Sequence, residues 1–237
     1  MKSNNKTRFL TSFGMTTNTS IVPLSFRARS ARNLIMLLLL IIIGVTVHSQ
    51  PFYGGFAIGG TTSQIDGDHN NGFHKIGFTG GAFVGLELSD IFEAQFEIKY
   101  IQKGAKSSAD DPYQFKIHLE YVELPLVASA NLGFLNVNGH KLDWITLEAG
   151  ASVDVLVYTN QRTLGGNEPS SRWKGLCFNG ILGIKFNLDK KKLHLGARVI
   201  TSINSAYAGN FSNFGTHRFG QFGAFNDVLE LVLYYRL

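Results

Sequence analysis

A single cysteine, Cys177, among 237 residues excludes a disulfide within the chain. It stands in a stretch that alternates apolar and polar residues, where it reads as a small buried or lipid-facing side chain and not as a nucleophile. Proline is also scarce, at five residues against 26 glycines, and no stretch of convincing length repeats its apolar residues at the helical period. Helical architectures are thereby excluded. The first fifty residues contain no acid, and no apolar run in the chain reaches the roughly twenty residues that a membrane-spanning helix needs. The longest, Leu34 to Ile43 continuing through Gly44 to Val47, covers about fourteen.

What that leader does contain is a series of bases (Lys2, Lys6, Arg8, Arg27, Arg29 and Arg32), then the apolar run, then Val47-His48-Ser49-Gln50. Small residues at the −3 and −1 positions of a cut before Gln50 predict a cleaved signal peptide over 1–49 and a single mature domain over 50–237. The basic segment is long, and Met15 offers an internal start within it. The pI of about 9.3 belongs to this leader: 6 of the 22 Lys and Arg precede residue 50, leaving 16 against 17 Asp and Glu. A nearly neutral mature domain gives no electrostatic reason to expect a nucleic-acid partner.

Beyond the leader the chain alternates. Phe92, Ala94, Phe96, Ile98 and Tyr100 share one parity, and Glu93, Gln95, Glu97 and Lys99 the other, which is the period of a pleated strand. Ile145, Leu147, Ala149, Ala151, Val153, Val155 and Val157 oppose Thr146, Glu148, Ser152 and Asp154 in the same way. Leu176, Phe178, Leu182, Ile184 and Phe186 oppose Asn179, Lys185 and Asn187, and Leu229, Leu231, Leu233 and Tyr235 oppose Glu230, Tyr234 and Arg236. This patterning predicts strands over 53–64, 76–88, 92–103, 116–130, 143–159, 174–188, 192–204 and 227–237. The first is too glycine-rich to orient, and the fourth changes parity near Tyr121 and Val122, which predicts a bulge or a strand projecting above the bilayer. Their connections alternate long and short, apart from one of medium length over 131–142.

An even number of strands with long loops at one end is the plan of an all-β, eight-stranded, antiparallel up-and-down barrel of an outer membrane. A soluble lipocalin-like barrel would instead turn the apolar face inward. Low charge, a polar parity rich in Gly, Ser, Thr and Asn, and segregated loops favour the membrane arrangement. The polar parity then lies in the lumen and brings together Glu87, Glu93, Glu97, Lys99, Lys103, Glu123, Glu148, Asp154, Lys185, Arg198, Glu230 and Arg236. Eight strands leave room for side chains only, so these charges are expected to pair in a structural network and not to line an aqueous channel.

Leu88-Ser89-Asp90-Ile91-Phe92, the run Tyr100 to Lys106 (YIQKGAK) and Tyr121-Val122-Glu123-Leu124-Pro125-Leu126 resemble the PorT-like, porin-family outer-membrane β-barrel proteins of Bacteroidota. Phe73 to Gly85 is similar to the corresponding glycine-rich segment of that family. The resemblance implies an outer-membrane barrel in contact with lipid, with a role accessory to type IX secretion or surface assembly and a protein partner in the envelope. Two departures stand out: Phe96 follows Gln95 where relatives often have proline, and the chain ends in Leu237 where such barrels usually end in phenylalanine.

Local signatures of catalysis are missing. His74, His118, His217, Ser107, Ser108 and Ser212 fall near the outer rim, but no nucleophile elbow accompanies them. Glu93 and Glu97, four apart in a strand, stand about 13 Å apart, too far to share one reacting bond. Asp66 to Gly72 resembles a Ca²⁺ loop but misplaces its glycine and lacks the bidentate glutamate, so it reads as a polar turn. Gly77, Gly80, Gly81 and Gly85 are followed by no helix and cradle no phosphate. The expectation is therefore a non-enzymatic barrel with no catalytic residue, metal or cofactor. The alternatives are a small-solute or ion pore and, third, a lipid A-modifying enzyme. Phe211, Phe214, Phe219, Phe222 and Phe225 in the last long loop either cap the barrel mouth or meet a partner.

Overall fold

The computed structural model describes residues 52–67, 72–108, 111, 114–137, 139–163, 166–167, 172–189, 192–208 and 215–237. The leader and its cleavage site lie outside these residues. Eight long strands follow one another: β1 (Phe52–Asp66), β2 (Lys75–Glu87), β3 (Phe92–Lys106), β4 (Phe115–Val137), β5 (His140–Thr163), β6 (Leu176–Asp189), β7 (Leu193–Ser202) and β8 (Phe225–Arg236). Each pairs antiparallel with the next, and β1 pairs with β8 from Gly55↔Arg236 to Asp66↔Phe225, so the sheet closes on itself. Gly166–Asn167 adds a short pairing to β5, and Thr216–Arg218 with Gln221–Gly223 forms a small hairpin in the last loop.

The faces are those of a membrane barrel. Phe56, Ile58, Phe78, Phe96, Ile98, Leu126, Leu147, Phe178, Leu182, Val199, Leu231 and Leu233 are exposed on the outside, while Glu97, Lys99, Glu123, Glu148, Arg198 and Glu230 are buried within. This overturns the soluble, lipocalin-like arrangement, which requires the opposite sides. Exposing so many large apolar side chains is favourable only against lipid.

Two expectations are corrected. The medium connection over 131–142 is mostly strand: β4 continues to Val137 and β5 begins at His140, with Gly139 at φ +81° just before it. Asn131 holds the irregular pairing there, donating to the Asp143 carbonyl (2.9 Å) and Thr146 Oγ1 (3.1 Å) and accepting from the Gly133 amide (2.8 Å). All the periplasmic connections are therefore short, as the outer-membrane plan requires. Secondly, β4 does not change parity. Ile117, Leu119, Tyr121, Glu123, Val127 and Ser129 all face inward on one parity. The irregularity belongs to β5, where Glu120 pairs with Tyr158 but Tyr121 with Leu156, so Val157 is the extra residue of a bulge.

Glycine in β1 permits closure. A Cβ on Gly59 would lie 2.1 Å from the Leu231 carbonyl oxygen of β8, whereas one on the outward Gly60 would meet nothing nearer than 3.8 Å. We predict that Gly59→Ala destabilises the barrel by about 1–3 kcal/mol through overpacking, with Gly60→Ala near neutral. Urea titration of the heat-modifiable gel band distinguishes the two; equal midpoints would refute this account of the seam.

Candidate functional site: the barrel interior and its two mouths

The inward residues form three layers. Toward the long loops, Ile65, Ile101, Ala105, Ile117, Leu119, Tyr121, Trp173, Cys177, Ala206 and Val228 pack into an apolar plug. Toward the short turns, Ala57, Phe83, Val232 and Tyr234 pack with Tyr53, and Phe83 meets Tyr234 edge to face with centroids 5.6 Å apart. Between them lies the charge network. An interior polar throughout is thus corrected: its loop-side part is mainly apolar, with Ser63, Lys75, Ser202 and Asn226 buried among the nonpolar side chains, and it holds none of the cross-lumen ion pairs of the middle layer.

Nine of the predicted lumen residues meet in the middle layer, each at most 5% exposed: Glu97, Lys99, Lys103, Glu123, Glu148, Asp154, Lys185, Arg198 and Glu230. Lys99 Nζ reaches across from β3 to Glu230 on β8 (2.6 Å) and lies 3.3 Å from Glu123. Lys103 binds Asp154 (2.7 Å) and stands 3.6 Å from Glu123. Arg198 holds Glu148 with two donors (2.8 and 3.1 Å) and lies 2.8 Å from Glu97; Lys185 also contacts Glu148 at 2.8 Å. Neutral groups complete the layer. Ser152 donates to Glu123 (2.7 Å), Asn179 to Ser152 (2.9 Å) and Gln95 to Glu97 (2.7 Å), while the Arg198 guanidinium sits 5.2 Å from the Tyr234 ring centroid. Gly183 supplies the room, since a Cβ there would lie 2.8 Å from Arg198 Cγ.

The other three predicted residues stand apart. Glu87 and Glu93 pair directly across β2 and β3 at the periplasmic end. Arg236 binds Glu87, and Tyr53 donates to Glu93 (2.7 Å), which relieves that like-charge pairing. These groups line a cavity of about 550 Å³ with Trp144, Lys185, His194 and Tyr234. The neutral partners Ser152, Asn179, Gln95 and Tyr234 share the inward parity of their strands, which is the signal that identifies them.

At the outer mouth, the hairpin of the last loop is clamped by Arg218. It forms a bidentate pair with Asp227 (2.6 and 2.9 Å), reaches Asp66 (2.6 Å) and donates to Thr201 (2.7 Å). Its hydrogen bonds to Asp227 raise the Arg218 pKa above its ordinary value. Of the five loop phenylalanines, Phe225 is fully buried with Arg218 over its ring, whereas Phe219 and Phe222 are exposed. Phe211 and Phe214 lie outside the described residues, as does Ser212. His118 faces outward and bonds Glu120 (2.8 Å), His217 packs on Phe222, and Ser107 bonds Gln114 in its own loop. In the candidate Ca²⁺ loop, Asp66 is engaged by Arg218, while residues 68–71 lie outside the description.

The family model for the outer membrane protein beta-barrel domain matches residues 51–208. The chain belongs to that family. No curated protein matches the sequence. Among solved structures, this outer-membrane barrel is similar to Neisserial surface protein A, at 11% identity, 80% of this chain, 100% of that one and TM-score 0.46. It is also similar to Ail, the attachment invasion locus protein of Yersinia pestis, solved with the heparin analogue sucrose octasulfate (12%, 78% and 99%, TM-score 0.44). A third is OprG from Pseudomonas aeruginosa (12%, 78% and 94%, TM-score 0.32).

In the middle layer five carboxylates face four cations. Arg198→Met removes the partner shared by Glu97 and Glu148 and is predicted to cost about 3–5 kcal/mol. Asp154→Asn brings the layer to four against four and is predicted to cost roughly 1 kcal/mol or less. Urea midpoints of the folded band check both values, and reversal of their order would rule out this charge accounting.

Proposed function

We propose that this barrel is a closed, non-catalytic component of the outer membrane, accessory to a secretion or surface-assembly system. One observation carries the reading: among the described residues the lumen is filled by the middle charge layer and packed above it by apolar side chains around Tyr121 and Trp173. That argues against the pore alternative. The segments that resemble PorT-like proteins support the type IX secretion assignment, and the envelope partner belongs to the same proposal. Apolar side chains placed beyond the lipid belt, Phe134 and Val137 on the β4–β5 hairpin and Phe219 and Phe222 on the outer hairpin, support contact with that partner. The outward placement of His118 and the local bonding of Ser107 favour a non-enzymatic role over lipid modification.

The test has two parts. In planar bilayers the protein is predicted to give no stepwise conductance. Deletion from its native envelope is predicted to reduce the display of secreted surface proteins while leaving small-solute uptake unchanged. Discrete openings, or slower uptake with normal surface display, would install the pore reading instead.

A further inference from the structure

The outer end of the lipid-facing wall carries a feature that neither the closed lumen nor the accessory role uses. Lys106 of β3 pairs directly opposite Lys116 of β4, and Lys116 directly opposite Arg162 of β5. All three are exposed on the outward face. Side chains directly opposite in adjacent strands stand about 5 Å apart at Cβ, and like charges so placed repel. Among the described residues no carboxylate forms an ion pair with any of the three.

The rows beneath locate them relative to the bilayer. Moving toward the membrane, the next row is Gly104, His118 and Asn160, and the one after is Gln102, Glu120 and Tyr158. Below these come Tyr100, Val122 and Val155, then the apolar belt of Ile98, Phe96 and Leu126. Tyr100 and Tyr158 mark the interface where aromatic girdles gather. Glu120, the carboxylate of this wall, is engaged by His118 at 2.8 Å. From the Tyr158 row to the cationic row is four residues, about 14 Å along the strand and about 10 Å in height at the usual tilt. The headgroup zone is roughly 5–8 Å deep, and long Lys and Arg side chains bend back toward it by snorkelling. Three cations with no ion-pair partner among the described residues are thus held at the depth of outer-leaflet headgroups, on the wall that lipid already covers.

We propose that Lys106, Lys116 and Arg162 form a binding site for the phosphate groups of an outer-leaflet glycolipid of the lipid A type. Bound phosphate converts the repulsion along the row into charge-assisted hydrogen bonds, with Arg162 able to bind two phosphate oxygens at once. The apolar belt below the row receives the acyl chains of the same molecule, so the site continues the lipid interface.

The full chain, produced in an outer membrane and extracted in detergent, is to be titrated with bisphosphorylated lipid A and with its dephosphorylated form. Wild type is expected to bind the phosphorylated lipid roughly tenfold or more tightly than the K106Q/K116Q/R162Q variant does. Dephosphorylated lipid is expected to bind both proteins equally weakly. Lys141→Gln, at the opposite end of the barrel, is expected to match wild type, and heat-modifiable mobility verifies that each variant is folded. Undiminished binding by the folded triple variant overturns the proposal. So does competition by inorganic phosphate at concentrations equal to the lipid, which would make the row a site for soluble anions.

Discussion

An eight-stranded barrel has no room for bulk water, so a charge turned inward must find its counter-charge on another strand. Lys99 takes Glu230 from across the lumen, and Arg198 ties β7 to Glu97 on β3 and Glu148 on β5. These contacts specify more than attraction. A slip of one residue in any pairing would turn the partner out to lipid and strand the remaining charge in a dry interior. The network thereby selects one register among those that an apolar lumen would tolerate, and the layers on either side are built around it.

Above the network the cheapest way to close the tube is to dispense with charge, and the chain does so with Ile117, Leu119, Tyr121 and Trp173. Below it, the lumen widens into a cavity whose charges are satisfied locally by Tyr53 and Arg236. The polar interior is therefore a slab between two differently built ends. Transport through it would require several buried ion pairs to open together, each leaving uncompensated charge.

This layering also explains what could be read from the sequence. Period-two alternation exposes the faces of β3, β5, β6 and β8, and with them seven of the nine residues of the network, because each strand there is apolar on one side only. β4 misleads, because its inward parity is apolar at Ile117, Leu119 and Tyr121 and acidic at Glu123. A change of interior chemistry then looks like a change of face. The true bulge, at Val157, is hidden among valines and leucines that suit either side. Glu87, Glu93 and Arg236 have the right parity but stand at strand ends, and parity alone gives no depth along the barrel. Pairings such as Lys99 with Glu230, 131 residues apart, follow from closure and not from any local pattern.

The outer mouth shows how one residue type is divided between two tasks by its distance from the barrel wall. Phe225, first in β8, is held under the Arg218 guanidinium and completes the seal. Phe219, at the tip of the same hairpin, adopts φ +50°, a conformation that costs a bulky residue about 1–3 kcal/mol and that glycine would adopt freely. The two-residue turn between paired Arg218 and Gln221 needs φ > 0 at both Phe219 and Gly220 (φ +74°), so pairing of the hairpin offsets that cost, and the ring stays exposed. The clamp from Arg218 to Asp66, Thr201 and Asp227 spans the ends of β1, β7 and β8, so the tip is mounted on the frame that the charge network fixes. Rigid presentation of an apolar tip would lower the entropy lost on contact with the proposed envelope partner, and this is the feature of the mouth that closure alone does not require.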